Sequence, residues 1–277
     1  MVSVRREIAG RMKRLLGADE VAASAGDPGE DRGLFGPGSA SWRVHGDFSS
    51  MLIGGVAALL MQMLHPRALA GVWDHSGFRR DMAGRLRRTA RFVGVATYGS
   101  TRQVEAAVAR VRRVHAHVKG TLPDGTPYAA DEPALLAWVH ACEVHCFLRA
   151  HLRYRDPRMS GDAQDRYLHE QARLARMLGA DEVPETRDAL ARYFRGVRPE
   201  LRADARTREV SRLMLAQPSP SLLTAPANAV MLRAGVDLLP GWAKRMHGLK
   251  LPPGQGPAVR LGALGVGSLL RWAMVPA

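Results

Sequence analysis

Two short runs of this sequence place chemically capable residues at meaningful spacing. In VRRVHAHVKG (111–120), His115 and His117 stand two positions apart, with Ala116 between them. On a helix, residues two apart point roughly 200° away from each other, so one ring faces inward and the other faces water. An inward imidazole among aliphatic side chains is either hydrogen-bonded by its surroundings or is an axial ligand to a haem iron. In RLRRT (85–89), Arg85, Arg88 and Thr89 lie within about one helical turn and share a face. Such a set grips carboxylates with two guanidinium forks and sets a hydroxyl beside them, or it is an ordinary solvated basic face. A third run, HACEVHC (140–146), offers two histidines and two cysteines. It is a poor zinc site, because a continuous helix cannot wrap a tetrahedral ion, and free cysteines are common core residues.

The elements that position these residues are helical almost throughout. Val104, Val108, Val111, His115 and Val118 form one stripe of a helix over 100–119, which selects His115 as the inward ring. His117 falls with Arg110 and Arg113. Ser100 followed by Gln103 has the form of a capping box. Ser160 opens, and Gly179 closes, a further helix. Periodicity places others over 48–63, 66–74, 79–98, 132–154, 185–195, 204–216, 220–237 and 257–273. On the helix 132–154, Leu136, His140, Val144 and Phe147 fall to one side and are expected to line a pocket opposite His115. His65 and His75 stand at helix breaks, where capping is the expected role. No alternating run or Asn-Gly turn predicts a strand pair. Residues 2–16 read as a short basic amphipathic helix and 17–46 as an irregular linker. Residues 47–277 read as one all-α domain.

Composition excludes some functions. The 277 residues have a formal charge of +14, which invites a polyanion partner. Only four of the 40 basic residues are lysines; the arginines are spread along the whole chain with few aromatic neighbours, so nucleic-acid binding is not expected. The Arg-Arg pair near the N-terminus is followed by no apolar core, and the run 51–64 is too short to span a bilayer at about 20 residues. With two cysteines the chain reads as cytoplasmic. The apolar segment 257–277 is expected to cover the core, with peripheral membrane contact or a dimer contact as its other readings.

The succession HPRALAGVWDHSGFRRDMAGRLRRT, VATYGS, HAHVKG and YAADEPALLAWVHA resembles the MpaB-type oxygenases and the catalytic domain of bacterial rubber oxygenases, from about residue 45 to about residue 245. The resemblance implies an all-helical fold with a globin-like core, haem b as cofactor, and dioxygen as co-substrate. It makes His115 the proximal iron ligand and sets Arg85, Arg88 and Thr89 on the distal and propionate side. Two departures follow. The family's R-x-x-K-T element has arginine at Arg88 in place of lysine, and a guanidinium has no lone pair to close the iron. The glutamate base expected upstream of Arg85 is also missing: between residues 48 and 104 the only carboxylates are Asp74 and Asp81. A small unsaturated isoprenoid or phenolic substrate is therefore expected rather than a polymer. The alternatives are a haem-binding sensor or carrier without turnover, and a basic helical nucleic-acid-binding protein.

Overall fold

Among the described residues four helices come first: α1 (Ala40–His45), α2 (Phe48–Gln62), α3 (Pro66–His75) and α4 (Met82–Tyr98). They are followed by α5 (Thr101–His115), a hairpin of β1 (Lys119–Thr121) and β2 (Pro127–Ala129), and the long α6 (Pro133–Tyr154). Then come α7 (Gly161–Leu178), α8 (Arg187–Gly196), α9 (Ala205–Leu215), α10 (Ala225–Leu238), α11 (Gly241–His247) and α12 (Gln255–Met274). This computed structural model describes residues 31–219, 224–250, 252 and 254–274. The basic helix expected over 2–16 lies outside the described residues, as does the linker up to residue 30. Apart from the hairpin, the fold is all-α, as the periodicity predicts.

The core is built on α2 and α6. The sequence of α2, FSSMLIGGVAALLMQ, carries no charge, and α6 is buried on several sides, through Trp138, Ala141, Cys142, Val144 and Cys146. A helix apolar all round belongs inside other helices. Gly54 allows the pair to approach closely: a Cβ there would lie 2.9 Å from Phe147 Cδ1 and 3.0 Å from the Cys146 carbonyl oxygen. Trp138 Nε1 donates to the Gln62 carbonyl, 3.2 Å away, where α2 has run out of intrahelical donors.

Buried charges lock the C-terminal helices onto this pair. Asp237 on α10 accepts from Arg153 on α6 at 2.9 Å and from Arg260 on α12 at 2.7 Å. Asp47, the N-cap of α2, accepts from Arg271 at 2.9 Å. His45 ties α1 to α4 and α7 by a chain whose polarity can be assigned. The Thr97 hydroxyl donates to the Val93 carbonyl, so it accepts from His45 Nδ1–H at 2.8 Å. His45 Nε2 then accepts from the Tyr167 hydroxyl at 3.0 Å. Burial pushes the His45 value down to about 3, so the ring is neutral.

Three local features differ from the sequence reading. The end of the expected linker is helical: Ser39 caps α1, and Val44 is fully buried. The 100–119 helix stops at His115, and a hairpin follows with Lys119 opposite Ala129. Its turn has a legible cause in Asp124-Gly125, where Gly125 takes φ 86° and the Asp124 carboxylate accepts from the Thr126 amide. Finally, α6 does not present one pocket face. Leu136 packs on Ala172 and Ala175 of α7, and His140 feels Arg176 on the same helix, whereas Phe147 meets α2 and His45.

Candidate functional site

The helices α4 and α5 are joined by Gly99 and Ser100, and pack through Phe92, Ala96, Val104 and Val108 against Leu174 of α7. The Ser100–Gln103 capping box is present in full, which fixes where α5 starts. None of the apolar clusters among the described residues includes Arg85, Thr89, Val111 or His115. Arg85 stands 14 residues before Gly99, and His115 stands 15 after Ser100. At 1.5 Å rise per residue both lie about 21–23 Å from the turn, so the hairpin carries them to matching heights.

His115 is half-buried and His117 exposed, the order that the helical projection predicts. His117 Nδ1 donates to the Arg113 carbonyl at 2.7 Å and is thereby committed locally. The ring of His115 makes no hydrogen bond among the described residues. Burial holds it below the usual histidine range, partly offset by Asp131, so it is a neutral imidazole with free lone-pair capacity. A groove of about 460 Å³ lies on the other side of α5, between His75, Val114 and His117. It is open to solvent and is flanked by Arg110 and Arg113. Having no opposing wall, it cannot enclose both faces of a flat ligand, so His115 remains the stronger axial candidate.

The RLRRT turn divides. Arg85 is mostly withdrawn from water, and burial first, then Arg88, lowers its value. No carboxylate or acceptor meets its guanidinium among the described residues. Arg88 instead points out, 70% exposed, toward Asp81 at 3.5 Å. Thr89 Oγ1 donates back to the Arg85 carbonyl at 3.3 Å. A cation partly withdrawn from water without a counter-anion is unfavourable, and an anionic or electron-rich ligand would relieve it. Together with the unpartnered imidazole, this arrangement fits a haem carboxylate or a polar distal ligand. Among the described residues no three His, Cys, Asp or Glu side chains converge as a metal cage.

Neither carboxylate on the upstream segment is available as a base. Asp74 accepts from the Tyr128 hydroxyl at 2.5 Å, while that hydroxyl accepts from His75 Nε2 at 3.2 Å. Asp81 caps α4 through the Gly84 amide. His65, expected to cap the end of α2, instead turns its Nε2 to Glu200 at 3.4 Å. The carboxyl that sequence reasoning missed is Glu143 on α6. It sits between the buried Cys142 and Val144, and receives only a long bond from Gln62 Nε2 at 3.4 Å. Whereas buried Asp47 and Asp237 are paired with arginines, Glu143 has no cation among the described residues. Its one signal in the sequence is a lone acid inside the apolar run LLAWVHACEVHCFL.

Burial pushes Glu143 up to about 7 from 4.5. The folded state therefore holds this proton more tightly than the unfolded chain. The resulting stability is fully present below pH 4.5 and is lost as pH rises through about 7. The difference amounts to about 3 kcal/mol at roughly 1.4 kcal/mol per unit. Denaturant melts at pH 5 and pH 8 should show Glu143→Gln losing that share of the pH dependence. Equal slopes in both proteins would assign the pH dependence elsewhere.

Residues 42–272 match the family described as the catalytic domain of ER-bound oxygenase mpaB/B' and rubber oxygenase. A solved structure of a latex clearing protein in its closed state superposes with a TM-score of 0.59 at 20% identity, covering 86% of this chain and 67% of that one. At that identity the likeness concerns the fold. No curated protein sequence matches the chain.

Proposed function

From the premise that this chain belongs to the family of MpaB and rubber-oxygenase catalytic domains, we propose that it is a haem b-dependent oxygenase acting with dioxygen on a small unsaturated isoprenoid or phenolic substrate. The observation that carries the haem assignment is the pairing of His115 and Arg85 on one helical hairpin. One side chain is a neutral imidazole, the other a half-buried guanidinium, and among the described residues neither meets a partner or an anion. His115 would hold the iron. Arg85, with Thr89 beside it, would orient a propionate or donate to dioxygen. Such donors act most strongly where water is excluded. Arg88, on the exposed side of the turn, would reinforce the positive potential from outside.

When bound, haem supplies one-electron and dioxygen chemistry that no side chain provides. Cleavage of a carbon–carbon double bond by dioxygen is balanced without a reductant: the C=C bond breaks, two C=O bonds form, and both oxygen atoms enter the products. Glu143 is the proton acceptor assigned by this reading. At a value near 7 it can take a proton from a carbon beside the double bond and return it.

The test is to load the purified chain with haem, reduce it, admit dioxygen, and follow oxygen uptake with short terpenoids and prenylated phenols. Substrate-dependent uptake with carbonyl products is expected, and Glu143→Gln should lower the rate about 100-fold while leaving the haem spectrum unchanged. A haem-loaded protein inert toward the whole panel would favour the sensor or carrier. A chain that takes up no haem would overturn the proposal.

A further inference from the structure

The open groove beside α5 has a chemistry of its own. It is lined by Arg110, Arg113, Val114 and His117, by Val118 just beyond them, and by His75 at the end of α3. From Arg110 to His117 these positions follow at three or four residues, so they form one continuous face. Arg110 and Arg113 are exposed, and neither guanidinium meets a carboxylate or another acceptor among the described residues. With about 5–6 Å between their β-carbons, the two cations repel each other. Other exposed arginines are matched: Arg43 by Asp156, Arg79 by Glu209 and Arg187 by Asp165.

Among the described residues no acid lines the groove. Asp74, next to His75, is engaged by the Tyr128 hydroxyl. Glu105, the one acid of α5, stands five residues before Arg110 and about 140° round the helix. The Arg113 carbonyl belongs to the last turn and would oppose an anion, but His117 Nδ1 covers it at 2.7 Å. His75 spends Nε2 on Tyr128, so each ring keeps one nitrogen uncommitted. Val114, 56% exposed, sets an apolar spot on the same face. Two guanidinium forks one turn apart match the oxygens of a phosphate, and a doubly charged group cancels their repulsion. A volume of about 460 Å³ suits one small molecule rather than a polymer.

We infer that this groove binds a small phosphate monoester with a short apolar group, Arg110 and Arg113 holding the phosphate and Val114 meeting the apolar part. The inference is independent of the haem reading, which uses the other side of α5. The full chain would be titrated calorimetrically with inorganic phosphate and with butyl phosphate at constant ionic strength. Butyl phosphate should bind about tenfold more tightly, roughly what burying two methylenes supplies. Arg110→Ala/Arg113→Ala should weaken both ligands at least about tenfold, with wild-type helicity and melting, because both side chains already face water. Val114→Ser should remove the advantage of the butyl group and leave inorganic phosphate unchanged. Arg192→Ala/Arg195→Ala deletes two exposed arginines of the same spacing on α8 and should change neither affinity. Absence of wild-type binding would overturn the proposal. Equal losses in the two arginine variants would do so too, since overall positive charge would then account for binding. Equal affinities for the two ligands would overturn the ester assignment. Capture by phosphatidic acid vesicles without any butyl phosphate binding would overturn it in favour of a lipid headgroup.

Discussion

Replacing His115 with alanine is expected to abolish the Soret band of the haem-loaded protein, while His117→Ala keeps it. The two rings are two residues apart in sequence, yet their situations differ completely. His117 is exposed and spends Nδ1 on the Arg113 carbonyl, so its removal costs at most a local bond. His115 is half-buried, neutral and unpartnered. An iron–imidazole bond needs that neutral form, and a value below 6.5 keeps it populated in mildly acidic solution. Losing even a residue that supports a metal ligand costs 10–100-fold in affinity, by the usual order of magnitude, and losing the ligand itself costs at least as much. Haem titration of both variants, followed by absorbance, decides the matter. Loss of the band in His117→Ala with retention in His115→Ala would move the site to the open groove across α5.

Arg85→Met should separate stability from function. A half-buried guanidinium that meets no anion among the described residues weakens the ligand-free fold, and a long apolar side chain removes that penalty while filling similar space. The ligand-free variant should be more stable by about 1–3 kcal/mol. Its haem retention or turnover should fall by at least about tenfold, since the distal cation is gone. Arg88→Ala is the contrast: its partner Asp81 is across an exposed ion pair, so stability should change by less than about 1 kcal/mol. Denaturant unfolding of the haem-free proteins, paired with haem titration, measures both quantities. A large destabilisation by Arg85→Met would mean that the guanidinium is a structural tie and not a ligand-facing group.

Much of this was legible in the chain before any tertiary contact was known. Helix positions, the Ser100–Gln103 box, the Ser160 and Gly179 boundaries and the inward turn of His115 all follow from short-range rules. Capping and amphipathic period act within three to seven residues, so the information is local and the reading succeeds. The hairpin was written locally too, in Asp124-Gly125, but its three-residue strands are too short to show alternation. The split of the RLRRT turn lies at the boundary. Spacing puts Arg85, Arg88 and Thr89 on one face, yet a helical face is wide enough that one edge is buried and the other meets water.

What the period cannot encode is the identity of the neighbour. An apolar stripe records that a face is covered, and leaves open which helix covers it. Leu136 and Phe147 read alike on α6, but one meets α7 and the other α2, because packing pairs helices that are distant in sequence. Glu143 is the clearest case. Its proximity to Gln62, 81 residues away, and the absence of a nearby cation arise only when α2 and α6 close on each other at Gly54. Desolvation then raises its proton affinity, and that shift is a property of the assembled interior, where few polar partners remain to stabilise the charged form.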